Sequence, residues 1–295
     1  MKKIFCRPDG TYLKTIDPFM RFFPYIMKGR NEAAIYFCEQ VDITELRQWL
    51  NKRNREAALN NGIKSTLFHA IITAVAKTVH ERPQLNRFVV GRRVYQRHEF
   101  SCAFIMKREF KDDSSEEILV MKIYPEDTLT TVSGKIQDEV HKVRQEAKES
   151  EEKRQGIVNW FNYLMNMPRI FLRGLVRFAA WLDYHGWLPR FVIELDPMHS
   201  SIWISNLGSL GIDAPFHHLY EWGTTSVFMT IGMVQKAPVV APDGTLAIKD
   251  TVNIALTIDE RISDGFYFAK TIKRFRYLLE HPDELEKPAR TSTSA

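Results

Sequence analysis

Residues 252–265 read VNIALTIDERISDG, and this stretch decides the fold. Its first part is rich in β-branched and other apolar side chains, which predicts a buried strand. A short charged loop follows, and beyond it apolar residues recur at helical spacing from 265 to 280. The stretch therefore predicts a strand, a tight polar loop and a helix in direct succession.

The rest of the chain alternates between strand and helix patterns in an irregular order. The aromatic stretch PFMRFFPYIM (18–27) is compatible with a helix that Pro24 would cut. Strand patterns lie at 34–43, 100–107, 117–123, 201–205 and 225–234, and helix patterns at 44–60, 65–80 and 128–150. Hairpin-like strand pairs among helices predict an α/β protein in which helices pack on a mixed sheet, as a sandwich.

Composition excludes several classes of protein. The 295 residues are 44% hydrophobic, which is enough to build a sizeable core, so a disordered chain is excluded. The net charge of +5 is spread evenly and does not predict nucleic-acid binding. Cys6, Cys38 and Cys102 lie too far apart for a zinc cluster or a disulfide framework, and no metal site is expected. With no signal peptide and no membrane-spanning run, the sequence predicts a cytoplasmic protein.

Two motifs in the last third of the chain resemble a known family. They are SIWISNLGSLGID (201–213) and DERISDG (259–265), and the likeness continues upstream through VDITELRQWL (41–50) and ERPQLNRF (81–88). Together they resemble the catalytic domain of the dihydrolipoyl acyltransferases of 2-oxo acid dehydrogenase complexes. They are also similar to chloramphenicol acetyltransferase. The loop patterns of these proteins are D-H-R-x-x-D-G and H-H-x-x-x-D-G, respectively.

The resemblance implies a fold and a chemistry. The fold would be that of chloramphenicol acetyltransferase-like, coenzyme A-dependent acyltransferases, assembled as a homotrimer with its active site between subunits. Coenzyme A or an acyl-CoA would be a substrate, and an acyl group would pass to a thiol, hydroxyl or amine acceptor. In the family a loop histidine is the general base and a serine stabilises the oxyanion.

Carried over by position, Ser205 matches the oxyanion serine, although a serine there could instead bond the backbone of its own turn. Asp259 and Arg261 match the first and third positions of the loop, and Asp264 and Gly265 match its closing pair. The family holds the closing aspartate with an arginine from near the N-terminus. Arg21, in IDPFMRFF (16–23), matches that partner.

The catalytic histidine position holds Glu260. Glutamate has an ordinary pKa of about 4.3 against about 6.5 for histidine, which makes it the weaker base. A carboxylate beside a developing oxyanion also opposes it, because like charges repel. Three interpretations stay open: the loop is kept for structure alone, Glu260 acts as the acid–base group, or His217 or His218 in APFHHLYEWG (214–223) replaces it.

The resemblance fits a single acyltransferase-like domain over residues 1–288, followed by a flexible tail over 289–295. No lipoyl domain, lipoyl attachment site or peripheral subunit-binding domain is evident. Relative to the family, the chain carries an aromatic and basic helical insertion at about 154–195. Within it, Arg169, Arg173 and Arg177 form a stripe on one helix face.

The insertion admits three interpretations. Its core, 156–192, could pack over a neighbouring subunit, cover a hydrophobic acyl acceptor as a lid, or rest on a membrane surface. Pro168 and Pro189 favour two short helices over one long one. The sequence thus predicts an acyltransferase of altered mechanism with small-molecule donor and acceptor. The alternative is an inactive trimeric pseudo-acyltransferase that acts as a scaffold or binds a ligand.

Overall fold

The computed structural model describes residues 7–107, 116–149, 165–240 and 243–290. The described strands are β1 (Gly10–Tyr12), β2 (Ala34–Asp42), β3 (Arg87–Val90), β4 (Arg93–Arg97), β5 (Ser101–Lys107), β6 (Glu116–Lys122), β7 (Ile202–Asn206), β8 (Val227–Val240) and β9 (Leu246–Asp259). The described helices are α1 (Pro18–Ile26), α2 (Thr44–Leu59), α3 (Leu67–Glu81), α4 (Leu129–Glu149), α5 (Arg169–His185), α6 (Arg190–Leu195) and α7 (Gly265–Glu280).

The strands form one large and one small sheet. The six-stranded sheet has the order β2-β9-β8-β7-β5-β6, and the three-stranded sheet has the order β1-β4-β3. In the large sheet β7 runs parallel to both β5 and β8, whereas the other pairs are antiparallel. The predicted α/β class with a mixed sheet is confirmed.

The main core lies between the large sheet and four helices. Side chains from α2, α3, α4 and α7 pack on the face of the sheet that carries Ile204, Met229 and Ile254. Helix α3 is buried along eleven consecutive residues, from His69 to Val79. Its sequence is apolar on most faces for that reason, since every face meets another element.

The opposite face of the sheet has a smaller core. Trp203 on β7 and Phe228 on β8 stack there, with Ala103 beside them, and Leu219 covers them from the loop that follows β7. Side chains alternate between the two faces along a strand, so Ser205 lies on the same face as Trp203. This second face therefore carries the first of the predicted site residues.

One local prediction was wrong, and one pair of strands was missed. Pro24 does not cut α1, which runs for nine residues and ends two residues after the proline, so only one intrahelical hydrogen bond is lost. The hairpin of β3 and β4 was missed. Its two-residue turn, Gly91-Arg92, has positive φ at both positions, and arginine is an uncommon residue in that conformation.

The insertion is described only in part. Its residues 154–164 lie outside the described part of the chain. Helices α5 and α6 form most of the rest, and they are separated by Gly186, with φ +75°, and by Pro189. Among the described helices, none combines the length and the apolar character needed to cross a membrane. The domain boundaries 1–288 and the tail 289–295 stay predictions.

Candidate active site

The DERISDG loop is built around a buried ion pair. Arg261 Nε lies 2.8 Å from Asp259 Oδ1, and Arg261 Nη2 lies 2.7 Å from Asp259 Oδ2, so the pair is bidentate. Asp259 is fully buried and Arg261 is 3% exposed. The guanidinium also donates to the carbonyls of Met27 and Lys28, just after α1. The first and third positions of the loop therefore fix its shape and tie it to the N-terminal helix.

Further contacts hold the second half of the loop. Ser263 Oγ donates to Gln84 Oε1 at 2.6 Å, and the Arg87 side chain donates to the Ile262 carbonyl at 3.3 Å. Asp264 caps α7, because its carboxylate accepts a hydrogen bond from the Tyr267 N–H at 2.8 Å. The loop is thus fixed along its length, as a site that must hold a reacting group requires.

Glu260 stands between the two members of the ion pair. Its backbone N–H donates to the Ala33 carbonyl at 2.9 Å, and its side chain is half-buried. Among the described residues, no cation forms an ion pair with its carboxylate. The backbone of Glu260 is therefore anchored, and its carboxylate remains available to a bound group.

Arg21 and Asp264, which the resemblance pairs, are not brought together. Arg21 is exposed on α1 and lines a shallow groove beside Tyr25 and Arg92, whereas the Asp264 carboxylate is engaged as the α7 cap. No ion pair joins the two residues in the described part of the chain. The link between α1 and the loop runs instead through Arg261.

Ser205 lies near the carboxyl end of β7, opposite Thr230 on β8. The turn that follows approaches β8 so closely that a Cβ at Gly208 would lie 2.4 Å from the Gly232 carbonyl oxygen. Gly211 completes the turn with φ +73°. The glycines of NLGSLG therefore serve the turn that positions Ser205.

Ser205 and Glu260 lie far apart within one chain. The register places Ser205 opposite Thr230 and Ala255, whereas Glu260 follows the far end of β9. Five residues of rise and two strand spacings separate them, a distance of about 19 Å between Cα atoms. The two groups therefore cannot act on one acyl group within a single subunit.

The two alternative bases lie on the same sheet face as Ser205. The His217 ring stacks on Phe228 with centroids 3.9 Å apart, and its Nδ1 lies 2.7 Å from the His218 carbonyl oxygen. His218 is exposed, with Nδ1 3.0 Å from the Leu219 carbonyl oxygen. Phe228 is two residues and one strand away from Ser205. The histidines are accordingly nearer to that serine than Glu260 is.

A cavity of about 340 Å³ lies behind the loop. Arg261 and the insertion helix α5 both line it, together with cationic side chains that sequence reasoning did not single out: Lys28, Arg30 and Arg92. The buried Arg30 donates to the carbonyls of Tyr220 and Glu221 at 3.1 and 2.8 Å. Burial lowers the pKa of this guanidinium. Arg30 precedes β2 and belongs to no recognisable sequence motif, so only the three-dimensional structure shows that it lines this cavity.

The described residues include no group of three or more histidine, cysteine, aspartate or glutamate side chains that could hold a metal ion. The chemistry that this arrangement offers is that of a carboxylate, a hydroxyl and two imidazoles, with guanidinium groups behind them.

Comparison with known proteins identifies the family. The protein-family model named 2-oxoacid dehydrogenases acyltransferase (catalytic domain) matches residues 27–166 and 194–286 of this chain. It leaves 167–193 unmatched, within the segment that the sequence analysis assigned to an insertion. A curated relative, the lipoamide acyltransferase component of the branched-chain alpha-keto acid dehydrogenase complex of Bacillus subtilis, is 22% identical over 245 residues. The alignment covers 83% of this chain but 46% of that relative, so the chain spans less than half of its length.

Solved structures show the same fold. A probable dihydrolipoamide acetyltransferase from Listeria monocytogenes superposes with a TM-score of 0.59 at 18% identity, over 97% of this chain and 98% of that one. A chloramphenicol acetyltransferase gives 0.51 at 13% identity, over 92% and 99%. The predicted chloramphenicol acetyltransferase-like fold is confirmed. Because the family model matches most of the chain, the protein belongs to the family of 2-oxoacid dehydrogenase acyltransferase catalytic domains.

Proposed function

We propose that this protein is a coenzyme A-dependent acyltransferase that acts as a homotrimer. The observation that carries the proposal is the division of the site: Ser205 lies near the carboxyl end of β7, whereas Glu260 lies beyond the amino end of that strand, about 19 Å away between Cα atoms. An enzyme of this kind is complete only when the loop of one subunit faces Ser205 of the next. The bidentate Asp259–Arg261 pair supports the proposal, since it holds the loop ready for such a contact.

In this proposal the thiol, hydroxyl or amine of the acceptor attacks the carbonyl carbon of an acyl-CoA thioester. Glu260 takes the proton of the nucleophile as the new bond forms, and the Ser205 hydroxyl donates a hydrogen bond to the oxyanion. The tetrahedral intermediate then collapses, the carbon–sulfur bond breaks, and Glu260 returns the proton to the thiolate of coenzyme A. A base about two pKa units weaker than histidine costs roughly tenfold in rate.

The cationic cavity behind the loop supports an anionic substrate. Lys28, Arg30, Arg92 and Arg261 outnumber the acidic side chains on its lining, which are Asp183 and Glu221. Phosphate groups such as those of coenzyme A suit cationic donors, which bind them with charge-assisted hydrogen bonds. Lys28 and Arg92 are the exposed cations of the lining, whereas Arg30 and Arg261 already donate to backbone carbonyls.

A second candidate is an inactive trimeric pseudo-acyltransferase that binds a ligand or acts as a scaffold. The observation that favours it is the carboxylate of Glu260, which has no ion-pair partner among the described residues and would place a negative charge beside the developing oxyanion. The framework of the loop would then be kept because Asp259 and Arg261 stabilise the fold.

Acetyl-CoA binding by calorimetry, followed by release of the coenzyme A thiol with a dithiol acceptor, separates the two candidates. An active enzyme binds acetyl-CoA and releases thiol, and Glu260→Gln lowers the rate by roughly 10²–10⁴-fold without changing acetyl-CoA affinity. Binding without release in the unaltered protein, with release gained in Glu260→His, would establish the pseudoenzyme. Absence of binding would contradict both the acyl-transfer proposal and a coenzyme A scaffold.

The base is assigned by a matched pair of variants. Under the proposal, replacing His217 and His218 together with alanine leaves thiol release within severalfold of the unaltered rate. A loss as large as that of Glu260→Gln would move the base to the histidines, which lie on the Ser205 face. Light scattering on each variant controls for loss of the trimer.

A further inference from the structure

The strongest feature that the catalytic proposal does not use is the outward face of α5. Helix α5 buries Asp183 and half-buries Leu172 and Ala179, which together form its packing face. Five of its exposed apolar residues lie on another side, and we call them the apolar sector: Ile170 (80% exposed), Phe171 (63%), Leu175 (49%), Phe178 (57%) and Trp181 (47%). Val176 and Tyr184 are also exposed but lie outside this sector. At 100° per residue they span about 140° of the helix, directed away from the protein.

A row of cations borders the apolar sector. Arg169, Arg173 and Arg177 are exposed at four-residue spacing, next to Ile170 on the helix surface. None of the three forms an ion pair with a described residue. The single acidic residue of α5 is Asp183, and it is turned inward. The exposed surface of this helix is therefore apolar on one side, and on the adjoining side every charge is positive, with Ala180 and Tyr184 beside the arginines.

The helix is fixed in this orientation. Asp183 Oδ1 accepts a hydrogen bond from Arg7 Nη1 at 2.7 Å, and the Asp183 backbone carbonyl accepts another at 3.0 Å. At Gly91 a Cβ would lie 2.2 Å from the Tyr184 carbonyl oxygen, so the helix packs directly on the β3–β4 turn. These contacts hold the opposite side of α5 against the rest of the domain. The apolar sector therefore faces outward while the helix is packed.

Exposed aromatic residues extend this surface beyond the end of α5. Trp187 is 56% exposed and its ring lies 5.3 Å from that of Trp181. On α6, Phe191 and Leu195 are 65% and 79% exposed. Tryptophan and phenylalanine beside arginine are typical of helices that lie in a bilayer interface, where the rings enter the acyl boundary and the guanidinium groups reach lipid phosphates.

We propose that α5 docks on an anionic membrane surface, with the apolar sector in the acyl boundary and the arginine row on lipid phosphates. Charge complementarity decides between this occupant and a second copy of the chain. A second copy would have to supply three carboxylates along the arginine row, whereas an anionic leaflet supplies negative charge wherever the row lies. The helix lies parallel to the membrane, and it also lines the cavity behind the catalytic loop.

Co-sedimentation of the full chain with vesicles tests this proposal. The protein is expected to pellet with vesicles of phosphatidylcholine and phosphatidylglycerol, to pellet much less with phosphatidylcholine alone, and to be released by salt. Arg173→Gln with Arg177→Gln should weaken partitioning roughly thirtyfold, since each arginine at an anionic surface contributes roughly fivefold. Phe171→Ser with Phe178→Ser should abolish pelleting under the same conditions.

Matched controls use the exposed surface of α2. Lys52→Gln with Arg55→Gln removes the same charge, and Leu59→Ser removes an apolar side chain that is 85% exposed. Both controls should pellet like the unaltered protein. Equal loss in the controls, or no pelleting of the unaltered protein with anionic vesicles, overturns the proposal. A Phe171→Ser and Phe178→Ser variant that becomes smaller by light scattering in the absence of lipid would instead make the sector a contact between copies.

Discussion

Two buried carboxylate–guanidinium pairs fix the DERISDG loop and helix α5, the two parts of the molecule on which the functional proposals rest. Asp259 and Arg261 are two residues apart and close the DERISDG loop at 2.7 and 2.8 Å. Asp183 and Arg7 are 176 residues apart and attach the insertion helix α5 at 2.7 Å. The geometry is similar, but the first pair belongs to one turn and the second exists only after α5 has docked.

The surroundings of the two pairs differ as well. Arg261 satisfies its remaining donors with backbone carbonyls of Met27 and Lys28, so its charge has one carboxylate partner. Arg7 also bonds Asp9, and Asp183 lies near His199, so the second pair belongs to a network of charges. An isolated pair places its stabilisation in one contact, whereas a network distributes it over several. Loss of one carboxylate should therefore lower the unfolding free energy more at the isolated pair than in the network.

Asp259→Ala should have the largest effect. It leaves the buried Arg261 without a carboxylate, which costs about 3–5 kcal/mol of unfolding free energy. Urea denaturation at fixed protein concentration measures this cost. Adding Arg261→Leu to the same variant should recover a large part of it, because the uncompensated charge is gone. A double variant no more stable than the single one would show that the charge is not the cause.

Asp183→Asn should cost less, about 1.5–3 kcal/mol, because Arg7 keeps the carboxylate of Asp9. The same denaturation experiment measures it. A double-mutant cycle of Asp183→Asn with Arg7→Met measures the coupling energy between the two side chains. A coupling energy as large as the cost of Asp183→Asn alone would mean that this pair acts without the rest of the network. We expect a smaller coupling, because the network shares the interaction.

Ser263→Ala should cost about 1 kcal/mol through loss of the 2.6 Å hydrogen bond to Gln84. Thr245→Val is the matched control, since its hydroxyl donates to the Asp243 carboxylate in an exposed turn at 2.7 Å. Acyl transfer, if the proposal holds, should fall in the first variant more than in the second. Equal effects would argue that the loop does not depend on this brace.

The smallest effect concerns pH and the second pair alone. Burial opposes protonation of His199, but the negative charges of Asp183 and Asp196 and the hydrogen bond to Asp196 outweigh it and raise the pKa of His199 above 6.5. The resulting stabilisation is complete below pH 6.5 and is lost as the pH rises through the raised pKa. Unfolding free energies across that range should decline, and the decline should flatten in Asp183→Asn. If the unfolding free energy of Asp183→Asn declined with pH as steeply as that of the unaltered protein, the interaction between Asp183 and His199 would not be the cause of the decline.

At low pH the carboxylate limits the same network. Burial opposes ionisation of Asp183, but His199 and Arg7 outweigh it and lower the pKa of Asp183 below 3.8. Its contribution is present above pH 3.8 and is lost as the pH falls through the lowered pKa. The attachment of α5 is therefore strongest between these two limits.

Much of the fold was predictable because its signals are local. The strand, loop and helix around 252–280 follow from periodicity and from the Asp264 cap, and the family follows from motif order. The β3–β4 hairpin was missed because Arg92 occupies a left-handed turn position, where glycine or asparagine is the usual signal. Arg21 was assigned a partner by analogy, and the partner is engaged elsewhere because Asp264 caps its own helix.

The sequence by itself determined the class of fold, the family and the loop residues, because hydrophobic periodicity and a seven-residue motif depend only on neighbours along the chain. Only the tertiary structure decided that Ser205 and Glu260 lie about 19 Å apart. It alone also decided that Asp183 turns inward while the apolar sector of α5 faces outward. Strand register and helix docking set these distances, and both arise from contacts between residues far apart in the chain.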